Sequence, residues 1–143
     1  MALGTVTMTD VLSGAVEKVK YIETGTATEI YSAAVSTSLA SGDLLVGPSI
    51  PAGCYLLDVK IDNTTIDSAG SPAITATAGI SGTLAKFIST VTLGVTSPRG
   101  INVGGNVGYS PTVDTPVLIA ITNTAGTAVA GTITCSVAYT ASP

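Results

Sequence analysis

Three charged side chains share one strand of this 143-residue chain at alternating positions, Asp58, Lys60 and Asp62, with Asp67 following in a loop. Two carboxylates with a lysine between them are the raw material of acid/base catalysis, and a denser cluster of oxygens would hold Ca²⁺. Neither use is supported by the spacing, because a calcium loop needs alternating oxygen ligands around a glycine turn, and none stands here. A solvated outer face is the expected role of Asp58, Lys60 and Asp62. The chain has no histidine, so His-dependent hydrolysis and most transition-metal sites lack their usual residue. Serine hydroxyls without a base or a strained elbow are no nucleophiles.

Other motifs fare no better. Gly100 to Tyr109 is glycine-rich, but it lacks the Lys-Ser/Thr ending of a phosphate loop and opens no helix. Close backbone packing at one end of a sandwich is the better reading. Asn63-Thr64-Thr65 matches a glycosylation sequon. Met1 to Asp10 has neither a basic start nor a continuous apolar run, so no secretory signal is expected to give that sequon meaning. Cys54 and Cys135 are the two cysteines; two reduced structural thiols are expected, since a bridge needs close Cα atoms. Of the five tyrosines, Tyr55 and Tyr139 fall on expected inward faces, whereas Tyr31 and Tyr109 flank loops and are the candidate interface contacts. No catalytic, cofactor-binding or metal-binding residue is assigned, and no enzyme activity is expected.

Composition agrees. Five basic and nine acidic side chains must decorate a surface of about 6,700 Å² if the chain is a single folded monomer. That density is low, so contact with other subunits is expected. Five scattered cations do not neutralise a run of phosphates, so no nucleic-acid partner is expected. No stretch reaches the ~18 apolar residues of a bilayer span, so no membrane partner is expected either.

The elements carrying these residues are strands. Period-two patterning of β-branched residues, broken by Gly, Pro, Asn and Asp, predicts an all-β domain of seven or eight short strands beyond Ser41. Tyr55 to Asp62 is the cleanest, with Tyr55, Leu57, Val59 and Ile61 expected inside. Pro116 to Thr122 and Gly131 to Thr140 are two more, and the loop-like composition of Asn123 to Ala130 predicts that they pair as an antiparallel hairpin. Asp43 to Val46 is a strand ended by Gly47-Pro48, and Ala73 to Ala78 is another. Lys86 to Val91 and Ile101 to Val103 are weaker, and Ser81 to Val91 alone leaves room for a helical turn. Thr5 to Met8, Val16 to Ile22 and Thr26 to Tyr31 are strand-like, with a small-residue connector from Ser32 to Ser41. The expected organisation is an N-terminal arm or added strands over 1–40, which either lie across a neighbour or complete the same sandwich, and a sandwich domain over 41–143.

One progression of residues carries a resemblance. Gly42-Asp43, Ile50-Pro51-Ala52-Gly53, Leu57-Asp58-Val59, Lys86-Phe87-Ile88, Gly108-Tyr109, Ala130-Gly131-Thr132-Ile133 and Val137-Ala138-Tyr139-Thr140 follow in order. This resembles small virion structural proteins of tailed bacteriophages, of the capsid decoration or cement type, over roughly the last 100 residues. Family members often carry Arg where Lys86 stands, and Ala138 interrupts the closing Val-Tyr-Thr. The resemblance implies an antiparallel, jelly-roll-like β-sandwich that binds the outer surface of the major capsid protein shell and stabilises the head. It further implies self-association, often as a homotrimer, a location on the capsid surface, no cofactor and no catalytic residue. A neck, tail or fibre component of the virion and a carbohydrate-binding β-sandwich module are the alternatives.

Overall fold

The computed structural model describes residues 5–7, 17–23, 25–93, 97–99 and 108–140. Ten strands occur among them and no helix: β1 (Thr5–Thr7), β2 (Glu17–Glu23), β3 (Thr26–Val35), β4 (Leu44–Ile50), β5 (Leu56–Asn63), β6 (Thr75–Ile80), β7 (Thr83–Thr92), β8 (Ser97–Arg99), β9 (Thr115–Asn123) and β10 (Gly131–Thr140). One five-stranded sheet has the order β1-β4-β9-β6-β7 and the other β2-β3-β10-β5-β8. All pairings are antiparallel except β1 with β4. The chain is thus all-β, as the period-two pattern predicts, and the jelly-roll-like sandwich that the resemblance implies. Its core lies between the sheets, where Leu45, Ile61, Ile119, Ile133 and Val137 are fully buried, each contributing about 1.5–3 kcal/mol.

The strands near the N-terminus belong to this sandwich in the single chain. β3 pairs with β10 over ten residues, from Val35 opposite Gly131 to Thr26 opposite Thr140. It runs on to Val35, past the expected connector start at Ser32, because Ala33 and Val35 find places in the core. β2 flanks β3, and β1 lies against β4 in the other sheet.

Other expectations are corrected. Gly47-Pro48 does not end a strand: β4 passes through both, and the register with β9 shifts between Val46 and Ser49, which accommodates a proline with no N–H to give. A side chain at Gly47 would place its Cβ 3.1 Å from Cys135 Sγ and 3.2 Å from the Val117 carbonyl, so glycine lets β4 approach the opposite sheet. Ser81 to Val91 holds no helical turn: Ser81-Gly82 closes a tight β6–β7 connection, with Gly82 at φ +84°, and Thr83 onward is strand. β9 and β10 are not a hairpin. β9 pairs with β4 and β6, β10 with β3 and β5, and Thr124 to Ala130 crosses between sheets. In β5, Val59 and Ile61 are buried as expected, but Leu57 and the preceding Tyr55 are exposed and Leu56 is buried. The reason is a register shift between Ala138 and Tyr139 of β10, which brings Leu56 rather than Leu57 opposite Tyr139 and reverses the alternation. The expected strand Ile101 to Val103 and most of the glycine-rich segment lie outside the described residues.

Candidate functional site

Asp58, Lys60, Asp62 and Asp67 do not converge on one site. Lys60 and Asp62 form an ion pair on the outer face of β5, Nζ to Oδ2 3.3 Å, of the half-exposed kind worth under about 1 kcal/mol. Asp58 shares that face. Asp67 turns the other way and is buried.

Its surroundings are made of main-chain donors. Oδ1 accepts from the N–H of Ala69 at 3.1 Å and of Thr127 at 2.9 Å. Oδ2 accepts from Ala73 at 2.8 Å, Ile74 at 3.3 Å and Gly126 at 2.8 Å. Ala69 closes an Asx-turn, a local habit of aspartate before small residues; Gly126 and Thr127 come from the β9–β10 crossover. The main chains clasp as well, with Ser68 N–H donating to Thr127 O and Val129 N–H to Ile66 O, both at 3.0 Å. The hydrogen bond from Thr127, followed by those from Gly126, Ala73 and Ala69, outweighs desolvation and holds the Asp67 carboxyl far below the usual carboxylate range. A carboxylate so saturated has no lone pair facing a substrate or a cation. It is a clasp joining the β5–β6 loop to the crossover.

The two cysteines are free and buried. Cys135 stands opposite Ile61, while Cys54 precedes Leu56, which is paired with Tyr139. Four residues of β10 separate those levels, about 13 Å, beyond the reach of a disulfide. Burial pushes the Cys135 thiol up to about 12, so it packs as an apolar group. Asn63 is buried and its amide donates to the carbonyls of Thr64, at 2.7 Å, and Leu93, which removes it from the surface that a glycan acceptor needs.

The tyrosines separate by environment. Tyr139 is buried as expected, its hydroxyl donating to the Glu29 carboxylate, and burial with that bond raises its phenol pKa. Tyr55, expected inside, is 54% exposed. Tyr31, opposite Cys135 on β3, is partly buried against the core, which raises its phenol pKa. Tyr109 is partly buried too. Its carbonyl accepts from Leu56 N–H at 2.8 Å, its ring meets Phe87 edge-on at 5.7 Å, and Lys86 Nζ lies 4.8 Å from its centroid. Tyr109 therefore ties β5 of one sheet to β7 of the other. Both interface candidates have this packing role in the single chain and keep part of their surface accessible. Among the described residues, no group of three or more carboxylates or thiols converges.

No family model and no curated protein sequence matches the chain. Solved structures do. A chain of the capsid of Ralstonia phage GP4 matches with a TM-score of 0.71 at 15% identity, over 98% of this chain and 97% of that one. A chain of the cyanophage Pam1 capsid asymmetric unit gives 0.68 at 21% identity, over 82% and 85%. One from the acidic stable capsid structure of Helicobacter pylori bacteriophage KHP30 gives 0.59 at 14%, over 88% and 93%. The chain shares their fold. At these identities the likeness is one of architecture, and it extends over the sandwich strands from both halves of the sequence.

Proposed function

We propose that the chain is a non-enzymatic structural protein of a bacteriophage virion, and within the virion a decoration, or cement, protein. In this reading it binds the outer surface of the major capsid protein shell, stabilises the head, and acts as a homotrimer with Tyr31 and Tyr109 among its contact residues. The observation that carries the reading is the end-to-end match with the phage GP4 capsid chain, 98% of one against 97% of the other. The low charge, the two-sheet sandwich and the ordered progression of turn and strand motifs support it.

The test is the copy number and position of the protein in a purified particle, by quantitative gel analysis and an electron-microscopy reconstruction. Many copies regularly spaced over the outside of the head are expected. A few copies at one vertex would replace cement with a neck or tail component. Absence from the particle, together with binding to a glycan array, would replace it with a carbohydrate-binding module.

A further inference from the structure

The large apolar side chains left exposed among the described residues are Ile22 at 67%, Tyr55 at 54%, Leu57 at 36%, Leu84 at 37% and Val113 at 67%. They come from four separate stretches of chain, yet strand register brings all of them to one end of the sandwich. Ile22 ends β2, where Thr26 faces Thr140. Tyr55 precedes β5 and Leu57 is its second residue, where Leu56 faces Tyr139. Val113 precedes β9, where Thr115 faces Ile50. Leu84 follows the β6–β7 turn, and β6 runs toward the start of β9. At the opposite end, the exposed residues among those described are short or polar, such as Ser36, Thr37, Ser38, Thr65, Ser71 and Thr127. Among the described residues the large exposed apolar side chains thus gather at one end, the dry end, between exposed polar residues such as Ser81, Ser110 and Thr112, and the other, wet end has none.

The dry end is also held in shape. Gly53 N–H donates to Pro111 O and Ala52 N–H to Asp114 Oδ1, each at 2.9 Å, fastening the loop that carries Tyr55 to the loop that carries Val113. Asp114 is engaged in that bond and Lys86 on the Tyr109 ring. Loops already fastened in place lose little entropy on binding.

Resting on the decoration reading, we infer that this end, carrying Ile22, Tyr55, Leu57, Leu84 and Val113, is the face that docks on a weakly charged apolar surface of the shell subunits, with the opposite end facing solvent. Area and repetition together favour the shell over a single second copy as occupant. Five strands about 4.8 Å apart and two sheets about 10 Å apart, with their side chains, give an end face of about 500 Å². A second copy joined end to end would bury about 1,000 Å² in total, the bottom of the range for a specific complex. Several copies held in one oligomer present the same face repeatedly to a repeating shell, and linked weak contacts then add up to firm attachment.

The experiment is a rebinding assay with shells of the cognate major capsid protein that lack this chain. Three forms are compared: wild type, Tyr55→Ser with Val113→Asp at the dry end, and Thr37→Asp with Ser71→Asp at the wet end. Melting curves confirm that each is folded; Val113→Ser alone serves if the double variant is not. The dry-end variant is expected to bind at least about tenfold more weakly, and the wet-end variant within about twofold of wild type. If wild type binds and the dry-end variant binds equally well, this docking face is overturned while the decoration reading stands. If wild type binds no shells but self-associates through a contact that Val113→Asp disperses, the occupant is a second copy and both are overturned.

Discussion

Asp67 gathers five main-chain N–H groups on one carboxylate. Replacing it by Asn would put an NH₂ against donors that need an acceptor and leave buried N–H groups unpaired. Asp67→Asn is expected to lower the thermal midpoint by about 5 °C or more, measurable by circular dichroism. The folded-state pKa is depressed, so the stabilisation is fully present above the unfolded-state value near pH 4 and is lost as pH falls toward the folded value. Urea midpoints should be flat from about pH 7 to 5 and fall below about pH 4, with a shallower fall in the variant. A wild-type midpoint that holds steady to pH 2 would remove this role. In the sequence Asp67 stood as the last member of an acidic run, and only its Asx-turn with Ala69 was local enough to read. The donors Gly126 and Thr127 lie 59 and 60 residues away, and no pattern in a single sequence joins them to it.

At the scale of elements, strand existence was written in the alternation, and inward parity was not always so. β5 offers two adjacent leucines, Leu56 and Leu57, so a one-residue shift costs the pattern nothing and moves Tyr55 from core to surface. Denaturant titration can separate the two parities. Leu56→Ala is expected to cost about 2–5 kcal/mol, and Tyr55→Ser less than about 0.5 kcal/mol; the reverse order would restore simple alternation. Gly47-Pro48 misled for a related reason, because glycine and proline punctuate strands as bulges as well as ends. Asn123 to Ala130 has a composition that serves a hairpin or a crossover alike. The choice is made by the clasp at Asp67, which draws this segment over to the β5–β6 loop.

For the whole molecule, sandwich architecture was legible because it follows from patterning summed over many strands, and no local error in parity disturbs the sum. The polarity between the two ends was not legible, since it emerges only when register carries Ile22, Tyr55, Leu84 and Val113 to the same end. That polarity, with only 14 charged side chains in the chain, bears on attachment to a shell. A contact made chiefly by apolar side chains is screened little by salt. Raising NaCl from 50 to 500 mM is expected to change shell affinity by less than about threefold, as read by co-sedimentation; a drop of a hundredfold would point to a charged interface instead.

The position of β10 has one more consequence, which concerns time. It follows every other described strand in the chain, yet it lies in the middle of its sheet, between β3 and β5. Until Gly131 to Thr140 have left the ribosome, β3 and β5 have no partner to join them, and each presents an open edge. The second sheet therefore closes only after the last of the described strands has been made, through contacts about a hundred residues apart in sequence. Truncation ahead of Gly131 should leave two strand pairs that aggregate rather than a smaller sandwich.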